Sequence, residues 1–293
     1  LANFQQLELD GLVIVGGDDS NTNAAVLAEY LRAEGSSTVV VGVPKTIDGD
    51  MKNEQIEASF GFDTACKVYS ELIGNIARDA TSAVKYWHFI RLMGRAASHV
   101  TLECALQTQP NVTLISEQVE ADGETLAAVV ERIANVVVER AKAGRHYGVL
   151  LVPEGIIEFM PDLQTLVREL QDILHKNEAY LRSIDTHTER FQFVINELSA
   201  GAAQSYAAMP RSVQEVLLTS DSHGNIPLSQ VETERLLIDL VGDRIRLLEA
   251  EDGVDYKFST IGHFLGYEGR CAAPTNFDAS YCYALGYTAA VFV

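Results

Sequence analysis

Two short stretches, Gly16-Gly17-Asp18-Asp19-Ser20 and Pro44-Lys45-Thr46-Ile47-Asp48-Gly49-Asp50, each close an apolar, strand-like run. Glycines let a ligand approach the backbone closely. Ser20 or Asn21 can cap the helix that follows, and a helix N-terminus favours anions. Asp18 suits magnesium, which takes one or two carboxylates and fills its shell with phosphate oxygens and water. Asp19, beside it, pushes anions away. In the second stretch Asp48 can take a proton from a hydroxyl, Thr46 can bond a phosphate or hydroxyl, and Lys45 can neutralise a transferring phosphoryl group. Alone, each stretch reads equally well as a polar turn. Together, one strand–helix unit apart, they offer a metal, a phosphoryl group and a base.

That chemistry needs both turns at one edge. Strand-like runs at 12–15 and 38–43 flank an amphipathic helix over 22–34 that Gly35 ends. A parallel pair would bring both loops out together, where open α/β folds bind ligands. Further strand-like runs lie at 84–91, 112–116 and 148–152, with helices predicted over 62–78, 97–107 and 124–143. This alternation predicts an α/β fold of doubly wound parallel sheets. The first strand is expected close behind the start of the chain. From about 162 to 248 the pattern turns helical, with candidate helices at 163–174, 188–200, 204–208, 211–218 and 229–248. It reads as a helical insertion, after which 258–265 returns to strand and 277–290 to helix.

Other turns carry suitable groups. Lys85-Tyr86 opens a strand that runs to Met93-Gly94-Arg95, and an arginine after a strand-end glycine suits a sugar-phosphate contact. Glu154, in Pro153-Glu154-Gly155, can accept hydrogen bonds from sugar hydroxyls. Gly266-Tyr267-Glu268-Gly269-Arg270 adds a second arginine beside a tyrosine. Surface arginines and plain strand-ending turns remain the alternatives. His88 and His263 lie in strand-like runs and read as packed, while His99 could cap or orient a neighbour.

The 293 residues suffice for one large or two moderate domains. A chain 47% hydrophobic and 22% charged reads as an ordinary soluble protein, with no run near the roughly 18 apolar residues of a membrane span and no signal-peptide pattern. A net charge of −19 argues against nucleic acid but leaves small phosphorylated ligands open. Cys66, Cys104, Cys271 and Cys282 lack C-x-x-C spacing and read as buried, reduced thiols of a cytosolic protein.

Taken in order, GGDDS, PKTIDGD, KY, MGR, PEG and YEGR resemble the phosphofructokinase family in its pyrophosphate-dependent, long-form branch, from about Leu12 to Tyr287. The resemblance implies phosphoryl transfer from pyrophosphate to the 1-hydroxyl of fructose 6-phosphate, with Mg²⁺, in the cytoplasm. It implies that Asp18 holds the metal, that Gly17, Asp19 and Lys45 form the donor side, and that Asp48 accepts the proton. Asp19 stands where ATP-dependent relatives have glycine, in the space of the nucleotide α-phosphate, and Lys45 likewise replaces a glycine. Thr46, Ile47, Asp48, Met93, Gly94, Arg95, Glu154, Tyr267, Glu268, Gly269 and Arg270 resemble the sugar-phosphate site. Lys85 and Tyr86 resemble a pair that reaches a neighbouring subunit's sugar phosphate, which implies a homo-oligomer with shared sites. The implied division is a donor domain over 1–80, a sugar-phosphate domain over 81–160 and 250–273, the helical insertion over 161–249, and a helix over 274–293 returning to the first domain. An ATP-dependent kinase and a non-catalytic, sugar-phosphate-sensing subunit of the same fold are the alternatives. The family's earlier strand with its Gly-Gly loop is not in this sequence, nor is its C-terminal portion, so the chain is expected to be part of a longer protein.

Overall fold

The computed structural model describes residues 2–51, 53–54, 56, 58–95, 97–219 and 226–293. The chain divides into two compact units. The first comprises the described residues up to Tyr69 together with Gly266–Val293, and the second is Ser70–Leu265.

In the first unit a short helix α1 (Ala2–Gln6) precedes β1 (Gly11–Gly16), so a helix, not a strand, opens the chain. Helix α2 (Asp18–Ala33) and β2 (Val39–Pro44) follow. Strands β1 and β2 pair in parallel, Gly11 opposite Val39 through Gly16 opposite Pro44. Gly35, at φ +74°, ends α2 in the left-handed region that glycine enters freely. Helix α3 (Phe62–Ala83) starts in this unit and runs on into the second.

The second unit holds β3 (Tyr86–Leu92), α4 (His99–Thr108), β4 (Val112–Thr113), α5 (Ser116–Ala121), α6 (Leu126–Lys142) and β5 (Tyr147–Pro153). Then come α7 (Pro161–Ser183), α8 (His187–Glu197), α9 (Ala200–Ala208), α10 (Arg211–Leu217), α11 (Thr233–Asp252) and β6 (Thr260–Leu265). The sheet is parallel throughout in the order β4-β5-β3-β6. Strands β3 and β5 are almost wholly buried, as parallel strands covered on both faces are; β5 is nearly all apolar, while β3 also buries His88 and Arg91. A single core joins Trp87, Phe89, Leu150 and Val152 of the sheet to Ile133 and Val137 of α6 and to Leu237 and Val241 of α11. The chain ends, back in the first unit, in α12 (Tyr267–Arg270) and α13 (Asn276–Phe292).

Several expectations shift in detail. The run at 112–116 keeps strand pairing only at Val112–Thr113, because Ser116 already opens α5. The break expected between the helices at 188–200 and 204–208 comes earlier: Leu198 and Ser199 are extended, α9 already starts at Ala200, and Glu169 accepts hydrogen bonds from the Ser199 amide and hydroxyl. Helix α7 runs nine residues past 174 to Ser183, through a non-helical Asn177. Helix α11 begins at Thr233, behind a 3₁₀ turn at Leu228–Gln230. Cys66 and Cys104 are buried as expected, but Cys271 and Cys282 are exposed. Among the described residues no helix is long and apolar enough to cross a membrane.

Candidate active site

Parallel pairing of β1 and β2 brings the GGDDS and PKTIDGD turns out at one edge. The join is direct: the Lys45 amide donates to the Gly16 carbonyl at 2.6 Å. The aspartates are not in a loop. Gly17, extended at φ −73° and ψ −165°, is the N-cap, and Asp18 and Asp19 form the first turn of α2. Ser20 and Asn21 therefore lie inside the helix and do not cap it. The Asn21 carboxamide instead reaches back, donating to the carbonyls of Gly16 at 2.7 Å and Gly17 at 2.8 Å. Both carboxylates are exposed. They sit where the helix dipole favours negative charge, and no side chain caps the first amides of α2.

The second turn is shaped by its own side chains. Thr46 Oγ1 accepts from the Asp48 amide at 3.1 Å, a local bond that tightens the turn. Ile47 is buried and anchors it, while Lys45 is exposed. Gly49 at φ +79° carries the chain onward. The entry to α3 is held by Asp278 of α13. This buried carboxylate accepts from the amides of Gly61 and Thr64, both at 2.8 Å, and from the Thr64 hydroxyl.

Helix α3 also fixes the YEGR turn. The Tyr69 hydroxyl donates to the Gly266 carbonyl. Gly269 packs against the Tyr69 ring so closely that any Cβ there would collide with it. Glu268 Oε2 accepts from the Gly266 amide at 2.9 Å. The Arg270 guanidinium lies 4.4 Å from the centroid of the exposed Tyr267 ring, a stacking that orients the charge.

In the second unit the strand ends gather MGR and PEG into one cluster. The Glu154 amide donates to the Leu92 carbonyl at 3.0 Å, and the Gly94 amide to Glu154 Oε2 at 3.3 Å. A Cβ on Gly155 would overlap the Arg95 carbonyl, so only glycine lets the two turns meet. Arg95 is exposed and Met93 half-buried. Lys85 and Tyr86 do not join this cluster. They lie at the other end of β3, whose seven residues span roughly 20 Å at the usual rise. There the Lys85 ammonium sits 4.8 Å from the Tyr86 ring centroid, and Val84 and Tyr86 both take left-handed φ, +55° and +74°.

Charge and imidazole pairs support the sheet. Arg91 Nε meets Glu234 Oε2 at 2.8 Å, both side chains buried, and the guanidinium lies over Phe264. Burial pushes the Glu234 carboxyl up from its usual range, with the Arg91 charge opposing. His88 Nδ1 and His263 Nε2 are 2.9 Å apart, and burial lowers both imidazoles. His88 is buried and His263 half-buried, close to the packed state expected. Ser98, not His99, is the N-cap of α4, and its amide donates to Glu117 at 2.9 Å.

Among the described residues no three His, Cys, Asp or Glu side chains cluster as a metal cage. Magnesium bound jointly with a phosphorylated ligand asks for only one or two carboxylates from the protein. Asp18, exposed beside the uncapped amides of α2, is suited to be one. A cavity of about 450 Å³ beside α9, α11 and β6 is lined by none of the motif residues.

Parallel strands alternating with helices in each unit define an α/β protein, and at one edge of the first unit's sheet the turns bearing Asp18, Asp19 and Lys45 adjoin. The phosphofructokinase model matches residues 1–293, and the chain belongs to that family. It is 55% identical over 285 residues to the pyrophosphate–fructose 6-phosphate 1-phosphotransferase of Treponema pallidum (strain Nichols), covering 97% of this chain and 50% of that protein. It is 51% identical over 291 residues to the protein of the same name from Porphyromonas gingivalis, covering 99% of this chain and 53% of the other. Thus the chain spans about half the length of these relatives. The phosphofructokinase of Pichia pastoris in its T-state shares the fold, with a TM-score of 0.59 and 17% identity over 99% of this chain and 23% of that one.

Proposed function

We propose that the protein transfers a phosphoryl group from pyrophosphate to the 1-hydroxyl of fructose 6-phosphate, giving fructose 1,6-bisphosphate and phosphate. The observation that carries this is the Lys45–Gly16 bond, which holds Asp18, Asp19, Lys45 and the Asp48 turn at one sheet edge. The relatives named above support the choice of substrates.

In this reading Asp48 takes the proton of the sugar 1-hydroxyl as that oxygen attacks the terminal phosphorus. The bridging P–O bond breaks and phosphate leaves with its electron pair. Lys45 meets the negative charge that builds on the transferred group. Gly17 and the open amides of α2 receive pyrophosphate oxygens. Asp18 would hold Mg²⁺, which when bound neutralises charge on the donor and steadies its leaving group. Thr46, Ile47, Met93, Gly94, Arg95, Glu154, Tyr267, Glu268, Gly269 and Arg270 are assigned to fructose 6-phosphate, the arginines to its anionic groups. Because phosphate leaves in place of ADP, the reaction is expected to run readily in both directions, as a cytoplasmic step of sugar-phosphate metabolism.

Lys85 and Tyr86 lie about one strand length from Arg95, so we assign them to a sugar phosphate bound by another copy of the chain. Shared sites in a homo-oligomer follow from that assignment. ATP use is disfavoured by Asp19, whose carboxylate would face the nucleotide α-phosphate. A purely sensing subunit is disfavoured because Asp18, Asp48 and Arg95 are all present. The test is to assay the full-length protein with Mg²⁺ and fructose 6-phosphate, supplying pyrophosphate or ATP. Phosphate release and bisphosphate formation with pyrophosphate support the reading; turnover with ATP alone refutes it.

A further inference from the structure

Asn21 carries no role in the chemistry above, yet its side chain holds the turn on which that chemistry depends. Its Nδ2 donates to the carbonyls of Gly16 and Gly17 at 2.7 and 2.8 Å. Its backbone amide donates to Gly17 as well, at 3.0 Å, and the Gly16 carbonyl also accepts from Lys45 at 2.6 Å. One residue of α2 thus ties together the end of β1, the first turn bearing Asp18 and Asp19, and the backbone of Lys45. Among side chains this short, only the asparagine carboxamide places two N–H donors on one nitrogen. An aspartate of the same shape would set a carboxylate against two carbonyl oxygens.

The position is shared with the neighbouring strand. A Cβ on Gly42 would stand 2.5 Å from Asn21 Oδ1 and 3.5 Å from its Cγ. Gly42 does not belong to the glycines of positive φ, so its backbone does not require glycine. The space above it does. A glycine inside an apolar strand, Val39-Val40-Val41-Gly42-Val43, weakens that strand, and close approach of another group is the usual reason for one.

We propose that Asn21 and Gly42 act as a matched pair that sets the pose of Asp18, Asp19 and Lys45 toward the phosphoryl donor. Asn21 is a positioning residue that touches no substrate, and Gly42 is the cleft that receives it. This rests on the assignment of the donor side made above. Loss of the pair is therefore expected to weaken the donor side and leave the sugar side unchanged.

The test uses the full-length protein with Asn21→Asp, Asn21→Ala, Gly42→Ala and the double variant Asn21→Ala/Gly42→Ala, with Asp18→Asn as the reference. Calorimetry reads the affinity for pyrophosphate with Mg²⁺, equilibrium binding reads fructose 6-phosphate, and thermal melting reports folding. Asn21→Asp and Gly42→Ala are expected to weaken pyrophosphate binding about tenfold or more, the scale of a lost and opposed hydrogen bond, while fructose 6-phosphate binding changes by less than about twofold. Gly42→Ala is expected to do less harm in the Asn21→Ala background, because the atoms it strikes are gone. Unchanged pyrophosphate affinity in a folded Asn21→Asp, or full additivity of Asn21→Ala and Gly42→Ala, overturns the inference. Should Asn21→Asp fail to fold, the cycle built on the two alanine variants decides alone. If Asp18→Asn weakens pyrophosphate binding and the Asn21 and Gly42 variants do not, only this inference falls. If Asp18→Asn also leaves it unchanged, the donor assignment falls first and takes the inference with it.

Discussion

The Lys45 amide donates to the Gly16 carbonyl at 2.6 Å, and that bond ties two turns 29 residues apart in sequence (45 less 16). It continues the β1–β2 ladder by one step past the last paired residues, Gly16 and Pro44. Each turn alone is an ordinary strand end. Joined, they give one edge two aspartates on a helix N-terminus, a lysine, and the Thr46–Asp48 turn.

Asp48→Asn is expected to lower turnover about 10²–10⁴-fold, the usual contribution of a positioned general base, while fructose 6-phosphate still binds. The substitution keeps the backbone amide that Thr46 Oγ1 holds at 3.1 Å, so the turn should persist. Single-turnover rates alongside equilibrium sugar binding separate the two effects. Near-normal turnover would remove Asp48 from the mechanism.

Arg95→Ala and Arg270→Ala are expected to raise the Michaelis constant for fructose 6-phosphate roughly ten- to a hundredfold, for loss of a charge-assisted contact of about 1.5–3 kcal/mol. Arg95 is exposed, and Arg270 is stacked on an exposed tyrosine, so neither change should greatly lower the melting temperature. A shift in the pyrophosphate constant instead would reverse the donor and acceptor assignments.

Asp278→Ala is expected to destabilise the first unit. It leaves the Gly61 and Thr64 amides without their acceptor, at a cost of about 1–3 kcal/mol per buried group. The midpoint of urea unfolding reads this directly. Since the same carboxylate holds the entry to α3 behind the TIDGD turn, turnover should fall in the variant even at temperatures where it stays folded.

The His88–His263 pair gives stability a pH dependence. Burial lowers both pKa values from the ordinary 6.5, with Asp79 opposing at His88 and the partner imidazole adding to the effect at His263. The unfolded chain then binds more protons than the folded one as pH falls through about 6.5, and stability declines on that side. Melting temperature should drop between about pH 6.5 and 5, and the slope should shrink in His263→Gln. A slope unchanged by the substitution would place the dependence elsewhere.

Much of the α/β fold was legible because its signals are local. The apolar runs that became β1, β2, β3, β5 and β6 carry their own periodicity, and the polar turns after them carry their own residue types. What could not be read depends on space. Asn21 looks like a helix cap until its amide is seen against Gly16, Gly17 and Gly42. Asp278 has partners, Gly61 and Thr64, that lie more than 200 positions away. The Tyr69 ring lies against Gly269, a contact between residues 200 positions apart (269 less 69). Helix starts were misplaced where a side chain reached backward, as at Asp18, and a helix break was displaced by a few residues where a distant carboxylate fixes it, as Glu169 does at Ser199.

The central claim is that Asp19 and Lys45 make this edge a pyrophosphate site, and donor selection tests it most directly. The measurement is kcat/KM for pyrophosphate and for ATP in the full-length protein, in Asp19→Gly, in Lys45→Gly and in the double variant. A carboxylate a few ångströms from an α-phosphate costs several kcal/mol at an effective dielectric near ~20, so wild type should use pyrophosphate and reject ATP. Asp19→Gly should gain activity with ATP and lose some with pyrophosphate, and Lys45→Gly should depress the pyrophosphate reaction further. A wild type that already prefers ATP, or an Asp19→Gly variant that gains no ATP binding or turnover, would contradict the account.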